Sequence, residues 1–285
     1  MAHSIATHVK HDHYTESGEH IVSRDVTVAN IGTWLKKGWM DMAHAPMASL
    51  FYGAVMALSV LLVYAAFSNQ PVMMFQTATF FVILSPFLAI GLYAISCQLS
   101  RGDSPDLFRS LFAWKRNPTD FALFALALGV VIAIWARIVP LIVSFVGSNG
   151  LLIVNPEVGV MSFIGSDLGM TFMGIFLASA AVVAAFVFAI SVVTIPLLLR
   201  DTKAGLISSM VLSYQVVMEN KTVMALWALT IGALVTLGIV TFGLAMLVVM
   251  PLLGYASWHA FNDLIEVDDE ISKSAIYSSL IEIEK

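Results

Sequence analysis

Five apolar runs dominate the chain, and each is about long enough to cross a lipid bilayer. They cover residues 47–67, 72–96, 121–139, 170–199 and 222–260. The hydrocarbon core is about 30 Å thick and a helix rises about 1.5 Å per residue, so about 20 apolar residues span it. Only 12% of the residues are charged, whereas soluble domains carry about 25%. The sequence therefore predicts an all-α integral membrane protein.

The last run, residues 222–260, contains no charged residue and is too long for one ordinary span. Its least apolar part contains Gly238, Thr241 and Gly243. A tight turn at these residues would divide the run into two helices. We therefore predict six transmembrane helices, with five as the alternative if the run stays undivided.

Three connectors with helical periodicity precede pairs of apolar segments. They are residues 30–42, 104–115 and 202–219. Apolar side chains at helical spacing between polar ones are typical of a helix that lies in the membrane interface. The pattern predicts three helical hairpins, each preceded by an amphipathic interfacial helix. Pro86, Pro196 and Pro251 lie in the second helix of each hairpin, where they are expected to loosen or kink it.

The central connector has clear boundaries. Ser104 is predicted to cap its helix and Pro105 to be the first helical residue, whereas Asn117 and Pro118 start the next helix. Tryptophan and basic side chains in the first two connectors are predicted to hold both helices among lipid headgroups. These membrane-surface anchors are Trp34, Lys36, Lys37, Trp39, Arg101, Arg109, Trp114, Lys115 and Arg116.

Arg137 is the only basic residue in any apolar run, which makes it a candidate intramembrane functional residue. If its helix starts at Pro118, Arg137 lies about 28 Å along it and can extend to the far interface beside Trp135. We favour this anchoring interpretation, and a substrate or ion ligand is the alternative.

The distribution of basic residues predicts an orientation. With six spans, thirteen of the fourteen Lys and Arg residues fall on the side of the termini and only Arg137 opposes them. Both termini are therefore expected in the cytoplasm. Residues 1–29 are predicted to be a disordered, histidine-rich cytoplasmic tail, residues 30–261 a single transmembrane domain, and residues 262–285 an acidic cytoplasmic tail.

Metal binding has weak candidates in the first tail. His8, His11 and His13 have the side-chain chemistry to bind zinc, copper or nickel. We favour a solvated tail without metal, because no apolar framework fixes the ligands. No cofactor and no nucleic-acid partner are expected.

Three segments resemble one known family. They are GWMDMAHAPMASLFYG from Gly38, SPFLAIGLYAISCQLSRG from Ser85 and PLLGYASWHAFNDL from Pro251. They are similar to a bacterial family of integral membrane proteins known only as domain of unknown function 2189. The resemblance extends from about Trp34 to Leu264 and implies the bacterial inner membrane. Some relatives are labelled as a cytochrome c oxidase component, but the family implies no functional residues.

Four functional hypotheses follow. Haem and copper sites need histidines within the spans, and only His44 and His259 lie near them, so an oxidase-associated redox subunit is disfavoured. An enzyme is not expected, since the spans lack a general base. Arg137 and the repeat are compatible with a channel or transporter for a small solute or ion. The favoured hypothesis is a non-enzymatic protein that acts through lipid, membrane-protein partners or its own copies in envelope or respiratory-complex biogenesis.

Overall fold

Helices form almost all of the computed structural model, which describes residues 10–14, 20–146, 160–200 and 205–267. The helices are α1 (Val28–His44), α2 (Pro46–Phe67), α3 (Pro71–Leu88), α4 (Ile90–Ser100), α5 (Leu107–Leu111), α6 (Pro118–Val146), α7 (Val160–Ile164), α8 (Asp167–Ser191), α9 (Thr194–Leu199), α10 (Leu206–Glu219), α11 (Lys221–Val240) and α12 (Met246–Leu264). A short 3₁₀ helix, Ala113–Arg116, follows α5. The predicted all-α class is confirmed.

Five helical stretches in the described part of the chain are long and apolar enough to cross a membrane. They are Pro46–Phe67, Pro71–Ser100, Pro118–Val146, Asp167–Leu199 and Lys221–Val240. The second combines α3 with α4, and the fourth combines α8 with α9. The helix α12 is absent from this set, because His259, Asn262 and Asp263 in its last turns lower its hydropathy. The number of candidate spans is thus five, the alternative to the six predicted.

The final apolar run is nevertheless divided, at the predicted place. The turn between α11 and α12 includes Phe242 and Gly243, whose φ angles of 53° and 91° are left-handed. Thr241 stabilises the turn, because its hydroxyl accepts a hydrogen bond from the backbone N–H of Ala245 at 3.0 Å. A Cβ atom at position 243 would lie 2.5 Å from the carbonyl oxygen of Ala57, so glycine is required sterically as well.

The helix α12 lies at the centre of the fold and packs on α1, α2 and α4. It approaches α1 and α2 at backbone distance. A Cβ atom on Gly38 would lie 2.8 Å from the backbone nitrogen of Ala256, and one on Gly53 would lie 2.5 Å from the carbonyl oxygen of Leu247. On its other side, Gly254 contacts the side chain of Leu92 in α4. Small residues therefore let α12 insert among its neighbours, as is common between membrane helices.

Two of the three prolines predicted to loosen or kink a helix lie near helix breaks. Pro86 precedes the junction of α3 and α4, and Pro196 lies just after the junction of α8 and α9. At the second junction, Ser213 of α10 donates to the carbonyl of Ala189 at 2.7 Å and accepts from the N–H of Val193 at 3.2 Å. This serine satisfies backbone groups that the break frees. The helix α12 continues through Pro251 without a break.

The helix α10 buries a mixed face of hydroxyl and apolar side chains. Ser209 and Ser213 are fully buried together with Leu212 and Val216. The buried serines bond to backbone carbonyls of Gly205 and Ala189. Other apolar side chains of the helix are exposed, namely Ile207, Val211 and Tyr214. The helix begins at Leu206, and its predicted position at the membrane interface stays a prediction.

An antiparallel sheet joins the two ends of the described chain. It contains β1 (Lys10–Tyr14), β2 (His20–Arg24) and β3 (Ile265–Val267), in that order. Residues 10–14 and 20–24 are thus strands, not the disordered tail that their polarity predicted. Residues 1–9, 15–19 and 268–285, which include the rest of both predicted tails, lie outside the described residues. The pairing of β2 with β3 places the segments before α1 and after α12 side by side.

Ionic contacts support this sheet. The amine of Lys10 lies 2.7 Å from the carboxylate of Glu266, and Arg24 lies 3.4 Å from the same group. The hydrogen bond from Lys10, with the charge of Arg24, holds the pKa of Glu266 below its usual value. The resulting stabilisation is present above the ordinary glutamate pKa and disappears as the pH falls through the lowered pKa.

We predict that Gly38→Ala destabilises the protein by about 1–3 kcal/mol, because the added methyl group would collide with the backbone of α12. Gly32→Ala is the matched control on the same helix, since a Cβ atom there meets nothing within 4 Å. Its better helix propensity should leave stability unchanged or raise it by up to about 1 kcal/mol. Thermal unfolding of both variants in detergent measures the difference. Equal stability of the two would contradict the observed helix packing.

Candidate functional site

Two polar features lie on different sides of α4, near the end of the bundle that carries the sheet. Ser96 belongs to one and Cys97 to the other. Successive residues on a helix point about 100° apart, so a single helix can contribute to both. We call the first feature the polar cluster (Asp41, Ser96 and His259) and the second the arginine pocket (Arg101, Arg109 and Arg116 with their neighbours).

The polar cluster joins three helices through one carboxylate. The Nε2 atom of His259 in α12 lies 2.9 Å from Oδ2 of Asp41 in α1. The hydroxyl of Ser96 in α4 donates to the same oxygen. The side chains of Asp41 and His259 are only 15% and 16% exposed. Burying a carboxylate is unfavourable unless donors surround it, and the two neighbours meet that need.

Further hydroxyl contacts extend from the cluster toward the connector. The Ser49 hydroxyl lies 3.0 Å from that of Tyr255, which links α2 to α12. The Tyr52 hydroxyl lies 2.8 Å from that of Ser110, which links α2 to α5. The connector is therefore held against the transmembrane helices by specific polar contacts as well as by apolar packing.

The geometry of the cluster suits a structural role. In a hydrolytic triad, the histidine lies between the nucleophile and the carboxylate. Here Asp41 occupies the middle position, and the Ser96 hydroxyl donates to the carboxylate. Such an arrangement fixes three helices relative to one another, but it does not place the histidine against the serine.

The predicted metal ligands are not brought together in the described structure. His11 Nε2 lies 3.3 Å from Oδ1 of Asp25, whereas His13 Nε2 lies 2.9 Å from the Ser23 hydroxyl and 3.3 Å from Oε1 of Glu219. His8 lies outside the described residues. Among the residues that are described, no group of three or more His, Cys, Asp or Glu side chains could hold a metal ion.

The arginine pocket is a cavity of about 80 Å³ at the end of α4. A single water needs only about 10–15 Å³ by a comparable measure. Three arginines and one aspartate give the lining an excess of positive charge. The pocket is lined by Ala94, Cys97, Gln98, Arg101, Asp103, Arg109, Ala113, Arg116 and Leu199.

The local fold of the connector differs from its predicted boundaries. Asp106 caps α5, because its carboxylate accepts from the N–H of Arg109 at 3.0 Å. The helix thus begins at Leu107, and the predicted cap at Ser104 with Pro105 as first residue is wrong. The amide oxygen of Gln98 accepts from the N–H of Asp106 at 2.7 Å, and this contact fixes the cap on α4. The predicted start of the next helix at Pro118 is confirmed.

One predicted membrane-surface anchor lies in the interior. Trp34 is fully buried; its indole N–H donates to Asp263 at 2.8 Å and its ring packs edge-on against Trp227. It therefore stabilises the contact of α1 with α11 and α12 and cannot reach headgroups. Trp39 and Trp114 are exposed. Contact of the remaining anchors with lipid stays a prediction. Those residues are Lys36, Lys37, Trp39, Arg101, Arg109, Trp114, Lys115 and Arg116.

Arg137 lies on the exposed side of α6, apart from both polar features. Its predicted neighbour Trp135 is fully buried and packs against Phe176, so the two side chains point in different directions. The helix has 29 residues, or about 43 Å, and so exceeds the thickness of the hydrocarbon core. Arg137 at about 28 Å along it can therefore lie at an interface, although its anchoring role stays a prediction.

A family match covers the central part of the chain. Residues 72–200 match the family model described as "Predicted integral membrane protein (DUF2189)". The family resemblance is thereby confirmed over these residues, which include the segment from Ser85. The DUF2189 match covers α3 to α9 and every residue that lines the arginine pocket, whereas Asp41 and His259 lie outside it. No curated protein matches the chain. No solved structure matches it either.

The polar cluster was not predicted from the sequence. Asp41 and Ser96 have no predicted role in the sequence, and His259 is predicted only to lie near the spans. One signal was available, because each of the three segments that resemble the family supplies one cluster residue: Asp41, Ser96 and His259. Polar side chains in otherwise apolar segments need hydrogen-bond partners. These three residues were therefore candidates to be partners of one another.

We predict that Asp41 and His259 are energetically coupled. Asp41→Ala and His259→Ala should each cost about 1–3 kcal/mol, because each leaves a buried polar partner unsatisfied. The double variant should cost less than the sum, with a coupling of about 0.5–3 kcal/mol. Unfolding of the four proteins in detergent gives these values. Lys37→Ala is the control, since its contact with Asp263 is long and partly exposed and should contribute less than about 1 kcal/mol. Additive losses would rule out the coupling.

Proposed function

We propose that this protein is a non-enzymatic, multi-pass protein of the bacterial inner membrane that acts through lipid or membrane-protein partners at one membrane surface. The observation that carries the proposal is a group of polar features at one end of the helix bundle. The sheet, α1, the α5 connector, the polar cluster and the arginine pocket lie there. At the other end, residues 68–70 and 241–245 are short turns, and the short helix α7 precedes α8.

We infer that this surface faces the cytoplasm. The pairing of β2 with β3 supports the inference, because it brings the segments before α1 and after α12 together. The positive-inside rule supports the same orientation, since basic residues cluster in the connectors on that side. We further propose that the protein acts in envelope or respiratory-complex biogenesis.

A partner-binding role is supported by the outward side chains of this surface. Trp39, Met40, Phe108 and Trp114 are large, apolar and exposed. By contrast, the polar cluster is satisfied internally and its groups bond to one another. The surface therefore offers contacts to lipid or protein, whereas the cluster holds the supporting helices in place. Arg137 lies on the outside of α6. Its position therefore does not support a channel or transport pathway within a single copy of the chain.

The proposed orientation predicts the behaviour of reporter fusions. A reporter that is active only in the periplasm should be inactive when fused after Lys285. The same reporter fused after Asn69, in the turn between α2 and α3, should be active. Enzyme assays on intact cells measure both. Strong activity of the C-terminal fusion would overturn the cytoplasmic orientation.

The proposed role predicts a specific set of neighbours. A proximity-labelling enzyme fused to the N-terminus of the full chain should label reproducible membrane proteins in living bacteria. Labelling of at least one of them should fall when Trp39 and Phe108 are replaced by serine, because the exposed apolar contacts are removed. The control is Arg137→Gln, which lies away from that surface. A map identical to that of an unrelated inner-membrane protein would contradict the proposal.

A further inference from the structure

The positive charge of the arginine pocket is not balanced by acidic side chains among the residues that the structure describes. Arg101 and Arg116 have no ion-pair partner among the residues that the structure describes. Arg109 lies 3.4 Å from Asp106, but its side chain is 83% exposed. An exposed ion pair of this kind contributes about 0–1 kcal/mol. Of the lining residues, only Asp103 opposes the three arginines. The pocket therefore favours an anion.

The three arginines come from separate but connected elements. Arg101 follows α4, Arg109 belongs to α5 and Arg116 ends the 3₁₀ helix. The connector is fixed by the Gln98 contact to Asp106 and by the Tyr52 contact to Ser110. Its arginines are thus held around one cavity instead of being spread along a flexible loop. A planar guanidinium group can donate two parallel hydrogen bonds to two oxygens of one phosphate group.

The surroundings of the pocket indicate that the anion belongs to a lipid. The side chains of Phe108, Leu111, Phe112 and Trp114 are exposed on the same connector. Lys115 lies over the Phe112 ring at 4.3 Å. Apolar and aromatic side chains with adjacent lysine are typical of segments at the level of the headgroups. A soluble anion would not require them.

We propose that the arginine pocket binds the phosphate group of one anionic phospholipid. Basic pockets between transmembrane helices on the cytoplasmic side are suited to such headgroups. The acyl chains would lie along the exposed apolar face that α6 presents next to the connector. This inference rests on the proposed function, because it names lipid as a partner at the same membrane surface.

Lipid titration of the full-length protein tests the proposal. The protein is purified in a neutral detergent and titrated with dioctanoyl phosphatidylglycerol, and native mass spectrometry counts the bound molecules. One molecule should bind saturably. Dioctanoyl phosphatidylcholine and inorganic phosphate should each bind about tenfold more weakly. Inorganic phosphate that binds as tightly as the lipid would overturn the lipid assignment, and so would the absence of saturable binding.

Matched charge variants locate the site. Replacement of Arg101, Arg109 and Arg116 by glutamine should weaken phosphatidylglycerol binding by about tenfold or more. Replacement of Lys36, Lys37 and Lys221 by glutamine removes the same charge outside the pocket and should weaken it by less than about threefold. Equal losses would mean diffuse attraction to the basic surface and would overturn the proposal. The replaced side chains are mostly exposed, and thermal unfolding checks that both variants remain folded.

Cys97 provides an independent readout on the unsubstituted protein. It lines the pocket and is the only cysteine in the chain. Bound phosphatidylglycerol should slow its reaction with N-ethylmaleimide, whereas phosphatidylcholine should not. Unchanged rates at a saturating lipid concentration would place the lipid elsewhere. If no lipid binds to the pocket but proximity labelling still gives a specific set of neighbours, this inference alone is wrong. If proximity labelling gives no specific set of neighbours, the proposed function is wrong.

Discussion

The structure depends on the close insertion of α12 among α1, α2 and α4. The last turns of α12 carry His259, Asn262 and Asp263, which lipid cannot solvate. Asp41 and Trp34 of α1 are partners of two of them, at 2.9 Å from His259 and 2.8 Å from Asp263. Arg200 donates a hydrogen bond to the third, Asn262. Glycines in α1 and α2 allow the approach. The polar end of α12 and its neighbouring helices are thus interdependent.

This arrangement links the core of the protein to its surface. The helix α4 packs on α12 through Leu92 and joins the polar cluster through Ser96, and its last turn then positions the connector through Gln98. The arginine pocket is therefore built on the same helix that holds the buried contacts. The contacts of α4 thus connect α12 on one side with the connector on the other.

Local features of the sequence predicted the membrane class, the apolar helices and the turn near Gly243, because apolar length and glycine content act within single segments. The polar cluster could not be derived in the same way, since Asp41, Ser96 and His259 are distant in sequence and meet only after folding. The strands β1 and β2 were missed because β1 pairs with β2, and β2 pairs in turn with β3 at the other end of the described chain. The burial of Ser209 and Ser213 in α10 was missed for another reason. In lipid apolar side chains can point outward, so amphipathicity alone does not identify the packed side.

The arginines of the connector illustrate how one residue type can satisfy two constraints. Counted along the sequence, they predict the orientation of the protein, because basic loops tend to stay in the cytoplasm. Each basic residue near an anionic membrane surface contributes about 1 kcal/mol to the attraction to that surface, whatever its position in the connector. Orientation alone therefore does not require Arg101, Arg109 and Arg116 to surround one cavity. The three arginines surround one cavity because the cap at Asp106 and the contacts of Gln98 and Ser110 hold the connector in place. The orientation of the protein in the membrane does not require the connector to be held in this way. Arginines on a fixed connector can recognise one headgroup, whereas arginines on a mobile connector only attract the membrane.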